Sequence, residues 1–137
     1  LYYSGPSKMI ETHVKKDKMK LQKKKIIYVD VDGTICQNRD DLRDQDISIA
    51  YSDVKPYPDR IAHINSLYDD GHEIVYWTAR GCQSGDDYTE LTKQQFLEWG
   101  VKYHDLQVGN KPHFDMYICD KSYNSESFFH YNERGLP

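Results

Sequence analysis

Two aspartates stand one residue apart at the end of an apolar run in the first third of the chain. Asp30 and Asp32 follow the run Ile26–Val29 and are followed in turn by Gly33 and Thr34. Because the run consists of β-branched and aromatic side chains, it predicts a buried strand with both carboxylates at its carboxyl end. Open α/β sheets bind their ligands at that edge. One carboxylate could bind Mg²⁺ and attack phosphorus while the other handles the leaving-group proton.

Alone, these residues could equally form a polar turn after a strand, so their meaning depends on the later segments of the chain. Thr78 ends a second apolar run, and Lys111 follows the strand-like residues 103–108. Asp120 ends a third apolar run, at residues 116–120. If these runs are parallel strands, their ends meet at one edge of the sheet. A nucleophile, an acid–base group, a hydroxyl donor, a cation and a metal ligand would then lie together, as phosphoryl transfer requires.

The order, spacing and residue types of these four motifs resemble the haloacid dehalogenase superfamily of phosphohydrolases, whose motifs end four successive strands. The similarity extends from about residue 25 to residue 129. The chain also resembles a subgroup of small capless phosphatases that often accompany bacterial surface-sugar biosynthesis. Short stretches carry that second similarity, at residues 55–58, 76–80, 98–101 and 111–121.

The resemblance implies a role for each motif residue. Asp30 would be the nucleophile that forms an aspartyl-phosphate, and Asp32 would be the general acid–base. Thr78 and the backbone N–H of Ala79 would bind the phosphate. Lys111 would neutralise charge on the nucleophile and on the phosphoryl group.

The expected cofactor is Mg²⁺, which takes oxygen ligands. Asp30, the backbone carbonyl of Asp32, and Asp120 would supply three of them. Members of the superfamily often place two adjacent acids at the fourth motif, whereas here Cys119 precedes Asp120. A thiol is a poor ligand for Mg²⁺, so we expect Cys119 to pack and metal affinity to be reduced.

The remaining predicted substrate contacts are Gly33, Thr34 and Arg80, together with Ala79. Arg80 directly follows the second motif. It could grip a substrate anion or form a surface ion pair, and the sequence leaves both roles open.

The elements that must position these residues alternate between strand and helix. Pro58 suits the first position of a helix that Gly71 would end. Asp87 would begin a second helix ending at Gly100, and a short third helix is predicted around residues 125–131. This alternation predicts an α/β fold, a Rossmann-like three-layer sandwich with a mainly parallel central sheet.

The spacing of the motifs leaves no room for a large cap domain. Only 43 residues lie between Thr34 and Thr78, and 32 lie between Thr78 and Lys111. The predicted active site is therefore open. The resemblance implies a flap hairpin after the first strand, of which residues 47–49 could form part.

The beginning of the chain is rich in lysine, with seven lysines among residues 15–25. We interpret residues 1–24 as a Lys-rich segment or linker and residues 25–137 as the phosphatase-like domain. An arm that binds nucleic acid or acidic lipid through Lys15–Lys25 is the alternative. An upstream fused domain and a homo-oligomer also stay open as partners.

Composition is that of one ordinary domain of 137 residues. The sequence lacks an apolar run near the roughly 20 residues of a membrane span and lacks a signal-peptide pattern, so we expect a cytoplasmic protein without a membrane partner. Cys36, Cys82 and Cys119 are odd in number and lack C-x-x-C spacing. They are predicted to be free thiols.

Three functions stay open, and the first is a Mg²⁺-dependent phosphomonoesterase for a sugar phosphate or another small metabolite. The second is a phosphatase of polynucleotide ends, since an open site admits polymers. The third is a catalytically silent binding module. The acidic flap region, residues 36–53, favours a small polyhydroxylated substrate because it would repel a polyanion.

Overall fold

A three-stranded parallel sheet forms the centre of the protein. The structure is a computed structural model that describes residues 23–131. Strands β1 (Ile26–Val29), β2 (Glu73–Thr78) and β3 (Asp105–Val108) pair in that order. Because every pair is parallel, the three carboxyl ends share one edge. The predicted α/β class with a parallel sheet is confirmed.

Helices α2 (Pro58–Asp69) and α3 (Thr89–Trp99) connect the strands and contribute to the core. Right-handed crossovers that advance in one direction across a sheet place their helices on one face. On that face the Tyr76 ring lies 4.8 Å from the Phe96 ring, and both side chains are buried. The remaining buried apolar members of this core are Val29, Val31, Ile35, Cys36, Val54, Ile61, Ile64, Leu67 and Ile74.

The helix bounds follow the signals in the sequence. Helix α2 begins at Pro58 and ends just before Gly71. Helix α3 begins after Asp87, whose carboxylate accepts the N–H of Thr89 at 2.9 Å, and it ends just before Gly100. A further helix, Ser125–Tyr131, matches the predicted last helix. Among residues 23–131, no helix is both long and apolar enough to cross a membrane.

The segment between β1 and α2 contains no strand, and only an isolated antiparallel bridge, Cys36 to Pro56, pairs its two ends, so the predicted flap hairpin with residues 47–49 is wrong. It contains helix α1 (Arg39–Arg43) and the 3-10 turn Tyr51–Asp53. The Asn38 side chain accepts the N–H of Asp40 and caps α1, and Arg43 lies in its last turn. An N-cap together with charges that complement the helix dipole explains this outcome.

Residues 116–120 do not form the predicted fourth strand. They are irregular, and Met116 and Ile118 are strongly exposed. A strand needs a neighbour for its backbone hydrogen bonds, but no strand within residues 23–131 pairs with these five. Cys119 is half-buried, and its sulfur accepts the N–H of Lys121 in a local turn. The predicted Lys-rich segment lies almost wholly outside the described residues.

A buried histidine links the start of β1 to the start of β2. His72 is fully buried, and its Nδ1 accepts the N–H of Lys25 at 3.0 Å. Burial, and next the positive charge of Lys24, lower the pKa of His72 below its usual 6.5. The pKa of His63 is lowered by burial as well.

We expect the free energy of unfolding to decrease as the pH falls below about 6.5. Over that range the unfolded chain binds a proton that folded His72 resists, so stability is full above pH 6.5 and declines toward the lowered pKa. Urea denaturation between pH 5 and pH 8 measures the effect. His72→Gln should reduce the decline, leaving the part due to His63, whereas His113→Gln at an exposed site should not. An unchanged pH dependence in His72→Gln would contradict this assignment.

Candidate active site

A cavity of about 710 Å³ opens at the carboxyl edge of the sheet. Asp30 and Asp32 reach it from the end of β1, Thr78 from the end of β2, and Lys111 from the segment after β3. Parallel strands explain this meeting, because residues far apart in sequence follow strands that end side by side. With Ala79 and Arg80, which also line it, six of the predicted site residues therefore meet at one cavity.

Asp30 is the most accessible carboxylate of this group, with 42% of its side chain exposed. Its Oδ1 lies 3.2 Å from Nζ of Lys111, and its Oδ2 accepts a long hydrogen bond of 3.4 Å from the Thr34 hydroxyl. The Lys111 ammonium also lies 5.5 Å from the centre of the Trp77 ring, within range of a cation–π contact. A reachable carboxylate is thus held beside a fixed cation.

Asp32 is held differently, by a bidentate ion pair with Arg80. Nε of Arg80 donates to Oδ2 at 3.0 Å, and Nη2 donates to Oδ1 at 2.8 Å. The Arg80 side chain has no exposed surface. Arg80 therefore binds Asp32 from inside the fold, and neither predicted role, the grip on a substrate anion or the surface ion pair, describes its position here.

Residues that the sequence analysis missed hold the rest of the Arg80 guanidinium. Its Nη1 donates to Thr92 Oγ1 at 3.2 Å and to Gln95 Oε1 at 2.5 Å. Gln95 in turn donates to the backbone carbonyl of Tyr51, whose ring centre lies 4.7 Å from the guanidinium carbon. One signal was available, because Thr92 and Gln95 are polar residues three apart on the apolar face of α3. Their partner was not visible in the sequence.

A buried thiol completes the surroundings of Asp32. Sγ of Cys36 lies 3.6 Å from Asp32 Oδ1 and 3.9 Å from Arg80 Nη2. Burial raises the pKa of the Cys36 thiol strongly, and the negative charge of Asp32 raises it further. Cys36 therefore stays a neutral thiol, and its one proton has two acceptors at 3.6 Å, Asp32 Oδ1 and the carbonyl of Val31.

Thr78 and Ala79 lie where a phosphate-binding pair was predicted. Thr78 is buried at the cavity wall, and its Oγ1 accepts the N–H of Arg80 at 3.2 Å. This bond orients the hydroxyl and leaves its own proton to donate to an oxyanion. Ala79 also lines the cavity.

Gly33 and Thr34 belong to the turn after β1 and do not line the cavity that the described residues form. The N–H of Gly33 donates to Cys36, and the N–H of Thr34 donates to Val31. Because these bonds use both donors, neither backbone N–H is free to bind a substrate in this structure. The turn orients Asp30 instead, through the Thr34 hydroxyl.

The predicted magnesium site is not assembled in this structure. Asp120 is exposed in the irregular segment after Lys111 and does not reach the cavity wall formed by residues 23–131. Within those residues no three side chains of His, Cys, Asp or Glu are close enough to share a metal ion. The prediction depended on a fourth strand that would have carried Asp120 to the sheet edge. Asp30 and Asp32 could supply oxygen ligands at the cavity, but the third ligand assigned to Asp120 is not beside them.

Helix α1 presents two arginines and Asp40 to the cavity. Arg39 and Arg43 both line it. Arg39 stacks with its guanidinium carbon 3.9 Å from the centre of the Tyr51 ring and pairs with Asp40 at 3.1 Å. Nε of Arg43 donates to the carbonyl of Ile47 at 3.2 Å. The inner side of this helix therefore carries charges of both signs, beside the acidic charge expected of the region.

Comparison with known proteins finds similarity of fold. No family model matches the chain, and neither does any curated protein. A crystal structure of an MCSG target from Vibrio cholerae is similar, with a TM-score of 0.61 and 25% sequence identity. The matched region covers 77% of this chain and 87% of that chain. This similarity supports the α/β architecture.

Two glycines in the loop after Arg80 allow a matched test of the cavity wall. Gly81 and Gly85 have φ of +83° and +80°, so alanine is strained at either position. A Cβ on Gly81 would also overlap the carbonyl oxygen of Asp86, whereas a Cβ on Gly85 would meet open space.

We expect Gly85→Ala to lower the free energy of unfolding by about 1–2 kcal/mol, the cost of a left-handed conformation. Gly81→Ala should cost about 1–3 kcal/mol more, because the backbone of the loop must shift. Urea denaturation of both variants measures the difference. Equal losses would show that Asp86 does not pack against Gly81.

Proposed function

We propose that this protein is a phosphomonoester hydrolase that acts through an aspartyl-phosphate on Asp30. The observation that carries the proposal is the accessible Asp30 carboxylate, which pairs with Lys111 at 3.2 Å in the same cavity as Asp32 and Thr78. A nucleophile, a cation, a second carboxylate and a buried hydroxyl at one sheet edge match the needs of phosphoryl transfer. The resemblance of the four sequence motifs supports the same reaction.

The proposed reaction has two steps. An oxygen of Asp30 attacks phosphorus, the bond from phosphorus to the ester oxygen breaks, and Asp32 gives its proton to the departing alcohol. A water molecule then attacks the phosphorus of the aspartyl-phosphate and gives a proton to Asp32. Inorganic phosphate leaves and the Asp30 carboxylate is restored. Lys111 and the Thr78 hydroxyl stabilise the charge on the transferred group.

The size and lining of the cavity favour a small substrate. About 710 Å³ is within the usual range for small-molecule sites. Side chains that can hydrogen-bond to hydroxyl groups line its wall, including Asn38, Tyr51, Gln83, Ser84 and Tyr88. We therefore propose a sugar phosphate or a similar polyhydroxylated metabolite, which agrees with the resemblance to phosphatases of surface-sugar biosynthesis.

Dependence on Mg²⁺ is also part of the proposal. It rests on the resemblance and on the oxygen donors of Asp30 and Asp32, since Mg²⁺ prefers such ligands. The proposal requires Asp120 to approach Asp30 when the ion is present.

Replacing the nucleophile tests the reaction directly. We expect Asp30→Asn and Asp32→Asn each to lower kcat by about 10³-fold or more, because each removes a group that acts in bond making or proton transfer. Asp41→Asn, on the exposed side of α1, is the control and should keep normal turnover. Near-normal turnover by Asp30→Asn would exclude an aspartyl-phosphate at this residue.

The assay should use sugar phosphates beside oligonucleotides phosphorylated at the 3′ or 5′ end. Higher kcat/KM on the oligonucleotides, with a steep dependence on salt, would replace the small-substrate proposal with a polynucleotide phosphatase. Absence of turnover on every substrate would favour the silent binding module.

A titration with Mg²⁺ after treatment with EDTA tests the ion requirement. We expect activity to vanish with EDTA and to return with Mg²⁺. Asp120→Asn should raise the concentration needed for half-maximal activity at least about tenfold, since a hard cation would lose a carboxylate ligand. Asp115→Asn, in the same exposed segment, should not. Full activity in EDTA would contradict the requirement, and a normal Mg²⁺ titration for Asp120→Asn would contradict the role of that residue.

A further inference from the structure

We propose that Arg80 is a positioning residue that, with Cys36, fixes Asp32 so that a single oxygen, Oδ2, carries the proton during the reaction. This inference rests on the proposed function, because it assigns the oxygen through which the acid–base residue works. It differs from the sequence-based prediction, which placed Arg80 on the substrate.

The hydrogen bonds to Asp32 identify the oxygen. A carboxylate oxygen can accept two hydrogen bonds. Oδ1 accepts Nη2 of Arg80 at 2.8 Å and has Sγ of Cys36 beside it at 3.6 Å, although the one thiol proton is equally close to the carbonyl of Val31. Oδ2 accepts only Nε of Arg80, at 3.0 Å, among the donors of residues 23–131. One lone pair of Oδ2 therefore remains open to a proton, while the Cys36 sulfur occupies the space beside the second position on Oδ1.

The position of Arg80 is itself determined by buried partners. Its Nη1 is held by Thr92 and Gln95 of α3, and its flat face contacts the ring of Tyr51. One edge of the planar guanidinium bonds to Asp32, and Nη1 bonds to α3. The group therefore cannot rotate or move away from the carboxylate without breaking buried hydrogen bonds. The position of α3 therefore helps to determine the orientation of the Asp32 carboxylate, because Arg80 is bonded to both.

The dependence of kcat on the leaving group distinguishes a positioning role of Arg80 from a role in the stability of the fold alone. Proton donation matters most when the departing alcohol is a poor leaving group, and much less for a nitrophenolate. We expect Arg80→Met to lower kcat by about 100-fold or more on an alkyl phosphate but by about tenfold or less on p-nitrophenyl phosphate. Arg80→Lys, which keeps the charge but cannot form two parallel bonds, should show the same bias to a smaller degree.

A double-mutant cycle with Asp32→Asn tests whether Arg80 acts through Asp32. If it does, adding Arg80→Met to Asp32→Asn should change kcat on the alkyl phosphate by less than about threefold. Additive losses, equal on both substrates, would overturn the positioning role and leave Arg80 a structural residue.

Gln95→Met keeps the test decisive if Arg80→Met does not fold. It removes one acceptor of Arg80 at a distance from the chemistry and should lower kcat about threefold to tenfold, again with a larger loss on the alkyl phosphate. The same substitution at the neighbouring Gln94, which is exposed, should leave both rates unchanged. Equal losses on both substrates in Gln95→Met would overturn the proposal.

The wild-type protein separates this inference from the function on which it rests. A wild-type protein without turnover on either phosphate would overturn the proposed function and the role of Arg80 with it. A wild-type protein that turns over both phosphates while the Arg80 variants lose activity without leaving-group bias would overturn the role of Arg80 alone.

Discussion

The ion pair between Arg80 and Asp32 determines how the elements around the cavity come together. A guanidinium without exposed surface has lost its hydration and needs a partner for every N–H. Removing one partner of such a pair leaves an uncompensated buried charge, which costs about 3–5 kcal/mol. The end of β1, the end of β2, helix α3 and the turn at Tyr51–Asp53 must therefore close around Arg80 together. The contacts that hold these elements together are therefore the same contacts that form the site.

The two aspartates illustrate how one sheet edge gives two carboxylates different environments. Asp30 meets its cation, Lys111, at the cavity surface and keeps 42% of its side chain exposed. Asp32 keeps 17% exposed and is bound from behind by a rigid fork. An accessible carboxylate suits attack on phosphorus, whereas a fixed one suits transfer of a proton along one direction. The two carboxylates differ in exposure because Arg80 is buried and holds Asp32 with two parallel bonds, whereas Lys111 contacts Asp30 with a single ammonium at the cavity surface.

The sequence predicted those features whose causes are local. Pro58 and Gly100 bound helices because their backbone preferences act within a few residues. The run Ile26–Val29 forms a strand because β-branched and aromatic side chains favour extended backbone, but it is not the buried strand predicted, since only Val29 is buried. The contact between Arg80 and Asp32 joins residues 48 apart, and no local pattern encodes it. Apolar composition alone likewise misassigned residues 116–120, since a strand also needs an available neighbour and a register.

The balance of charges at the cavity determines whether a phosphate would be repelled on approach. From the sequence, a cluster of aspartates in an acidic domain should repel a phosphate unless a metal ion intervenes. In the structure each of the two aspartates has its own cation, and the further charged residues at the cavity, Arg39, Arg43, Asp40 and Asp86, balance in sign. Neighbouring pairs of opposite charge cancel most of each other's field beyond a few ångströms. A phosphate can therefore approach without a large electrostatic penalty, so the charge of the cavity adds no argument for Mg²⁺ to the one from its oxygen donors.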